Sequence, residues 1–271
     1  MVTQLATSMT RTTPRWSGLA EAIVGDLVLP GAPDYHHVRV PAITRFAAIR
    51  PQAVVRCRDS HDVGEALAFA RRARLLVAVR SGGHDFAGSS STRGLVVDLS
   101  PLASMTVRDG LVRVGAGVRL GALYSRLAQS GVTLPAGCGA TVGISGLTLG
   151  GGLGLLGRRH GLTCDRLRSA EVELADGRTV ECDEGRHAEL FWALRGAGAA
   201  GLGVITALHF EPVAEPDMTR FRMTWPLACA PRAIAAWKKW ALDAPRAVSA
   251  ELSVVALDFT TRLTAYAAVP S

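Results

Sequence analysis

The run Arg80-Ser81-Gly82-Gly83-His84-Asp85 sets a guanidinium, a hydroxyl, two adjacent glycines, an imidazole and a carboxylate side by side. Adjacent glycines let the backbone turn sharply and bring its N–H groups close to a ligand. Successive N–H groups in such a turn form a concave anion site, and Arg80 adds fixed positive charge beside it. A pyrophosphate suits this place. His84 then stands at the rim with a nucleophilic imidazole nitrogen. Alone, a Gly-Gly-His sequence reads as a tight surface turn with an incidental histidine. A second glycine-rich run, Pro135 to Gly154, changes that weighing. It carries Cys138, Thr141, Val142, Gly143, Gly146, Gly150, Gly151 and Gly154.

The elements that must position these groups read as follows. Trp16 to Val24 is a short helix, and Ala53 to Cys57 a strand. Ser60 is the expected N-cap of a helix with Val63, Ala66, Leu67 and Ala70 on one face. Strand Leu76 to Arg80 runs into the Gly-Gly turn, so the opening is βαβ-like, and Leu95 to Leu99 is another strand. Asp109-Gly110 joins Met105–Val107 to Leu111–Val114 in a hairpin, and Asp176-Gly177 joins Ala170–Leu174 to Thr179–Cys182. Leu120 to Ser130 is helical and stops at Gly131. His187 to Arg195 is a helix, and Gly203 to Phe210 a strand. Two α+β lobes result, residues 1–102 and 103–215. After Pro216 come a strand (Arg220 to Trp225), a helix (Ala233 to Leu242) and two hairpin strands (Leu252–Phe259 and Leu263–Val269).

Composition narrows the class. The chain has 271 residues, 48% hydrophobic and 20% charged, which is ordinary for a globular protein. It has no run of 18 apolar residues, so no membrane span is expected. The polar start, Met1 to Trp16, lacks an apolar signal core, and a cytoplasmic location is the default expectation. The 5 cysteines (Cys57, Cys138, Cys164, Cys182, Cys229) are odd in number and form no C-x-x-C pair. That argues against a disulfide framework and against zinc, and most of them read as buried thiols. The net charge of +7 comes almost wholly from arginines scattered along the chain. A nucleic-acid surface would gather them in a stripe. His36, His37 and His209 have no metal-ligand partners at useful spacing.

Two stretches satisfy G-x-G-x-x-G: Gly152 to Gly157 and Gly196 to Gly201. A nicotinamide-binding Rossmann unit needs a strand before, a helix after and an acidic residue on the next strand. Gly196 follows a helix and precedes a strand, the reverse order. Gly152 follows glycine-rich chain, and Asp176 lies in a hairpin turn. Both are rejected as Rossmann motifs, and Gly196–Gly201 reads as a helix-to-strand loop.

Taken together, the two glycine segments resemble the FAD-linked oxidases of the berberine-bridge-enzyme type, within the vanillyl-alcohol-oxidase (PCMH-type) superfamily. Arg158-Arg159-His160-Gly161-Leu162-Thr163-Cys164-Asp165, Leu190 to Gly196 and Gly203 to Thr206 extend the match, in order, over about residues 25 to 213. The resemblance implies an α+β fold: a two-lobed FAD-binding domain over 1–215, then the start of an antiparallel-sheet substrate domain at 216–271. It implies FAD, carried on His84 through the 8α-methyl group. It implies cofactor contacts from Arg80 to Asp85, from the residues named in the second glycine run, and from Leu155, Gly161, Leu162, Asp165 and the main chain at Val204. The implied activity is oxidation of an alcohol or amine carbon of a small metabolite, sugar or natural product, with hydride passing to flavin N5 and dioxygen as acceptor.

The chain departs from the family pattern in places. The slot of the family's second flavin-linking cysteine is Gly139, and Cys138 sits one residue early. In extended chain that shift turns a side chain to the opposite face. Single attachment is therefore expected, with Cys138 lining the pocket. His160 replaces a Tyr and reads as pocket wall. Gly201-Leu202 replaces the family's Asn-Phe. In the family the catalytic base, often a Tyr or a carboxylate, comes from the substrate domain or the C-terminal segment, and nothing marks Tyr266, the one tyrosine after residue 216, as that base. The other reading is a non-catalytic flavin-binding module. In the family the last two strands pair with later ones, so an exposed sheet edge and self-association through it are expected.

Overall fold

The computed structural model describes residues 14–257 and 260–270. The expectations for the polar start up to residue 13, and for the strand end at Asp258 and Phe259, lie outside the described residues. Short valine-rich runs build the first sheet. Strands β2 (Ala53–Arg56), β3 (Val77–Arg80) and β4 (Leu95–Asp98) are parallel, and β1 (Asp26–Val28) pairs antiparallel to β2, in the order β1-β2-β4-β3. Val54, Val55, Val96 and Val97 are completely buried, as a sheet covered on both faces requires. The crossover from β2 reaches β3 through α3 (Ser60–Arg72), and β4 then inserts between them, so the βαβ opening is not a pair of neighbours.

The cap of α3 is Asp59 and not Ser60: its Oδ1 accepts from Asp62 N at 2.9 Å. Ser60 already lies inside the helix, so a carboxylate one residue earlier meets the free N–H groups of the first turn. Asp62, fully buried, accepts from the N–H groups of Val24, Gly25 and Arg58 and fastens the chain after α1 (Trp16–Ala22) to α3. The short α2 (Tyr35–Val38) covers the other face of the sheet, where Tyr35 packs with Val28, Val54, Ala78 and Val96.

The second sheet is antiparallel throughout, in the order β5-β6-β10-β8-β9: β5 (Met105–Arg108), β6 (Leu111–Gly115), β8 (Leu167–Glu173), β9 (Thr179–Asp183) and β10 (Val204–Phe210). Asp109 and Gly110 turn the first hairpin at φ 51° and 75°, the left-handed pair a two-residue loop demands. α4 (Leu120–Ala128) and α7 (Ala188–Leu194) bury Leu123, Leu127, Phe191 and Leu194. These share one apolar core with Val55, Phe69 and Val97 of the first lobe and Val114, Val172 and Phe210 of the second sheet. A two-stranded ribbon, β7 (Val132–Thr133) with β11 (Val213–Ala214), was not foreseen, and neither was α5 (Ile144–Leu149) inside the glycine-rich run. The next turn of helix, α6, is Gly157–His160.

Strands β12 (Met218–Pro226), β13 (Ser249–Leu257) and β14 (Thr260–Pro270) form a third sheet in the order β12-β14-β13, with α8 (Ala230–Asp243) between β12 and β13 in sequence. The last two strands were expected to leave an exposed sheet edge, and one of them, β13, is an outer strand. β14 pairs along its length with β12 on one side and β13 on the other, so the outer strands are β12 and β13.

Candidate cofactor site

A trench of about 500 Å³ lies between the first two sheets. One wall is Val77, Ala78 and Val79 of β3 with the turn Ser81–Asp85, and the other is Val142, Gly143, Ser145 and Gly146 with Val204 and Ile205 of β10. β3 is the outer strand of its sheet. Its Val77 and Val79 are 38% and 37% exposed, while the alternate Ala78 and Arg80 are buried. This presents an apolar face suited to a flat ring.

The two glycine segments meet at the turn. A Cβ built on Gly82 would lie 2.3 Å from Gly143 N, and one on Gly143 would lie 2.2 Å from Ser81 Oγ. Only glycine allows this approach. Gly83 adopts φ 73° with its α-carbon face against Pro41 and Ala42. Ser81 Oγ and Ser145 Oγ both donate to the carbonyl of Ala116 at 2.7 Å, which ties the turn and α5 to the loop after β6. Asp85 Oδ1 accepts from Ala87 N and Ser89 N and shapes the exit of the turn. His84 lines the trench, its Nε2 2.9 Å from Thr141 Oγ1.

Arg80 is held by the backbone around it. Its guanidinium is buried and donates to the carbonyls of Ser90, Val38 and Arg39 at 2.9, 2.7 and 3.0 Å. Each of its nitrogens is thereby engaged with protein. Burial lowers its pKa, opposed by nearby Asp98. Arg80 clamps the turn with three of its five N–H bonds, and it borders the second, polar pocket described next and not the trench. On the far side of Ser81 and Gly82 lies a second, polar pocket of about 570 Å³, walled by Arg56, Asp98, Arg119 and Thr141 among others.

Of the sequence-predicted residues, the trench wall unites Ser81, Gly82, Gly83, His84, Asp85, Val142, Gly143, Gly146 and Val204. Cys138 is exposed and is not part of this wall. The chain is pinned just before it: Thr163 Oγ1 donates to Pro135 O, and Tyr124 OH donates to Gly137 O. Beyond Gly137 it emerges to the surface. Gly150, Gly151 and Gly154 also stand off the wall. Gly150 N closes α5 on Gly146 O and Leu147 O, Gly151 turns at φ 101°, and a Cβ on Gly154 would strike Ala136 O at 1.7 Å. Gly161, Leu162 and Asp165 form a local turn in which Asp165 Oδ2 accepts from Leu162 N. Leu155 is largely exposed, and His160 ends α6 off the trench wall, with its pKa lowered by burial and by Arg159 and Arg166.

Sequence reasoning missed Leu99, Ser89, Leu147, Leu149 and Gly198 in the wall. The even spacing of Val77 and Val79 on a strand entering the turn was a usable signal. Leu99, Leu147 and Leu149 carried none, being apolar residues like those of any core. Among the described residues no group of three or more metal-ligating side chains occurs, and no helix is long and apolar enough to cross a membrane.

Known proteins share these features. Residues 51–183 match the sequence model of the FAD binding domain. The uncharacterized FAD-linked oxidoreductase YgaK of Bacillus subtilis is 37% identical over 231 residues, 81% of this chain and 50% of that protein. BBE-like 1 of Physcomitrella patens superposes with a TM-score of 0.88 at 28% identity, over 95% of this chain and 56% of that one. The chain belongs to the FAD-linked oxidases of the berberine-bridge-enzyme type. Its α+β fold is the PCMH-type FAD-binding fold of that family. The glucooligosaccharide oxidase of Acremonium strictum, a solved protein with a 6-S-cysteinyl, 8α-N1-histidyl FAD, superposes with a TM-score of 0.83 at 25% identity, over 95% of this chain and 55% of that one. The chain spans about half the length of curated relatives such as YgaK.

The trench fits the family's cofactor on its own terms. Glycine contacts too close for any Cβ hold the turn against the second segment, and the apolar β3 face suits a ring system.

Proposed function

We propose that the chain is the flavin-bearing part of an oxidoreductase that oxidises an alcohol or amine carbon of a small metabolite, sugar or natural product, with FAD carried covalently on His84. The observation that carries this reading is the place of His84 in a trench walled by both glycine segments. When bound, FAD supplies the two-electron acceptor, and dioxygen returns it to the oxidised state.

The chain's own residues bind and orient. The backbone of Ser81 to Gly83 faces the trench as a donor turn for the phosphates. The Arg80 clamp and the serine pair on Ala116 O keep that turn preorganised. His84 supplies the attachment point, as a histidine does in glucooligosaccharide oxidase. The ionisable groups in the trench wall are His84 and Asp85, and Asp85 is engaged with loop N–H groups. The proton acceptor for substrate therefore comes from outside this wall.

Purified protein precipitated with acid is expected to keep its flavin in the pellet, and His84→Ala to release it. Complete release from the wild type would refute covalent attachment. The engagement of both ionisable groups of the trench wall, His84 with Thr141 and Asp85 with loop N–H groups, favours a second reading, a flavin-binding module without turnover. The two are separated by anaerobic mixing with a panel of alcohols, amines and sugars: bleaching of the flavin band marks the oxidoreductase, and no bleaching across the panel marks the module.

A further inference from the structure

His84 and Thr141 lie 57 residues apart in sequence, on different glycine segments, and meet at 2.9 Å through Nε2 and Oγ1. Thr141 is itself held firmly. Val142 N donates to Gly139 O, closing the turn around it, while Leu120 N and Gly121 N at the start of α4 donate to the carbonyls of Val142 and Ala140 on either side. A neutral imidazole has one N–H and one nitrogen lone pair, and the partner of one nitrogen sets which is which.

We infer that Thr141 is a positioning residue for flavin attachment, engaging Nε2 of His84 and leaving Nδ1 as the atom that bonds to the cofactor. The inference rests on the reading of His84 as the attachment residue. With the proton on Nε2, that N–H donates to Thr141 Oγ1, and the lone pair sits on Nδ1. His84 Nδ1 then forms the bond to the 8α carbon. One C–H bond of that methyl group breaks. Its proton goes to solvent, and its electron pair stays on the ring system, which is two-electron reduced. Dioxygen accepts two electrons and two protons and leaves as hydrogen peroxide. Alkylation at Nδ1 places positive charge on the imidazole, and loss of the Nε2 proton neutralises it. Thr141 O–H then rotates to donate to the Nε2 lone pair. A hydroxyl serves both stages because it can accept and donate; a methyl group can do neither.

The test compares wild type, Thr141→Ser and Thr141→Val. Each is prepared without flavin and mixed with FAD in air. The readouts are the rate at which the adduct mass appears and the linkage isomer in the isolated flavin peptide, assigned by NMR. Wild type and Thr141→Ser are expected to attach through Nδ1 at similar rates. Thr141→Val should slow attachment roughly tenfold, the rate equivalent of one orienting hydrogen bond. A Thr141→Val protein that attaches flavin at the wild-type rate overturns the inference. An Nε2 linkage in the wild type overturns it equally, and needs no variant to fold. Wild-type flavin that binds but washes out under acid instead overturns the attachment reading on which it rests.

Discussion

The backbones of Gly82 and Gly143 pack directly on one another: a Cβ on Gly82 would sit 2.3 Å from Gly143 N and 2.9 Å from Thr141 O. The obstacle is backbone on both sides, so no rotamer change relieves it. Gly82→Ala is expected to cost about 1–3 kcal/mol of stability from overpacking. It should also part the two glycine segments. Thermal melting with and without FAD checks this. The variant should melt lower and gain less from added FAD than the wild type, and an unchanged pair of melting temperatures would count against the contact.

Cysteine accessibility is a second expectation. Cys138 and Cys229 are exposed, and Cys57, Cys164 and Cys182 are buried. Burial pushes the Cys57 and Cys182 thiols up, the latter to about 11, and so keeps them from forming thiolates. Titration of the native protein with a chromogenic disulfide should find two fast thiols, falling to one in Cys138→Ala. That variant should keep its flavin through acid precipitation. Loss of an adduct from it would show that Cys138 bonds the cofactor.

The second sheet carries a charged cluster across three neighbouring strands. Glu171 on β8 accepts from His209 on β10 at 3.1 Å and from Arg113 on β6 at 2.8 and 2.9 Å. His209, then Arg113, hold its carboxyl down at about 2 against an ordinary 4.5. A carboxyl depressed in the folded state stabilises above its unfolded pKa. That contribution is complete above about pH 4.5 and is lost as the pH falls through about 2. Glu171→Gln should therefore melt below the wild type at pH 6, with the gap narrowing between pH 4.5 and 2. A gap independent of pH would remove the carboxylate as its cause.

The third sheet has β12 and β13 as its outer strands, and Val254 on β13 is 58% exposed. Unpaired edge groups beside exposed apolar side chains template pairing with another chain. Self-association at high concentration is expected, reduced by Val254→Lys. Light scattering over a concentration series checks it. A wild-type monomer throughout would refute the proposal.

Much of the fold was written locally. The Asp109-Gly110 and Asp176-Gly177 hairpins, the valine strands of the first lobe and the helix over residues 60–72 follow from turn chemistry and periodicity within short windows. These signals are local because φ preferences and side-chain direction are properties of single residues and near neighbours. The two glycine segments and His84 were equally legible, since close backbone approach leaves glycine no substitute. α5 was not, because a six-residue helix with Gly146 inside it has too few turns to show a period.

What the residue types by themselves determined is a two-lobed α+β chain with a Gly-Gly-His turn poised for a ligand. Tertiary structure alone decided how its groups are used. Arg80 looks like an anion ligand in the chain, and in the fold three carbonyls from elsewhere in the chain take up three of its five N–H donors. Cys138 looks like pocket lining, yet anchors at Pro135 and Gly137 send the chain outward. His84 meets its hydrogen-bond partner in Thr141, 57 residues away. A side chain's chemistry belongs to its type, but its partners and its desolvation are set by whatever the packed chain brings within about 3 Å of it, and no local window contains that information.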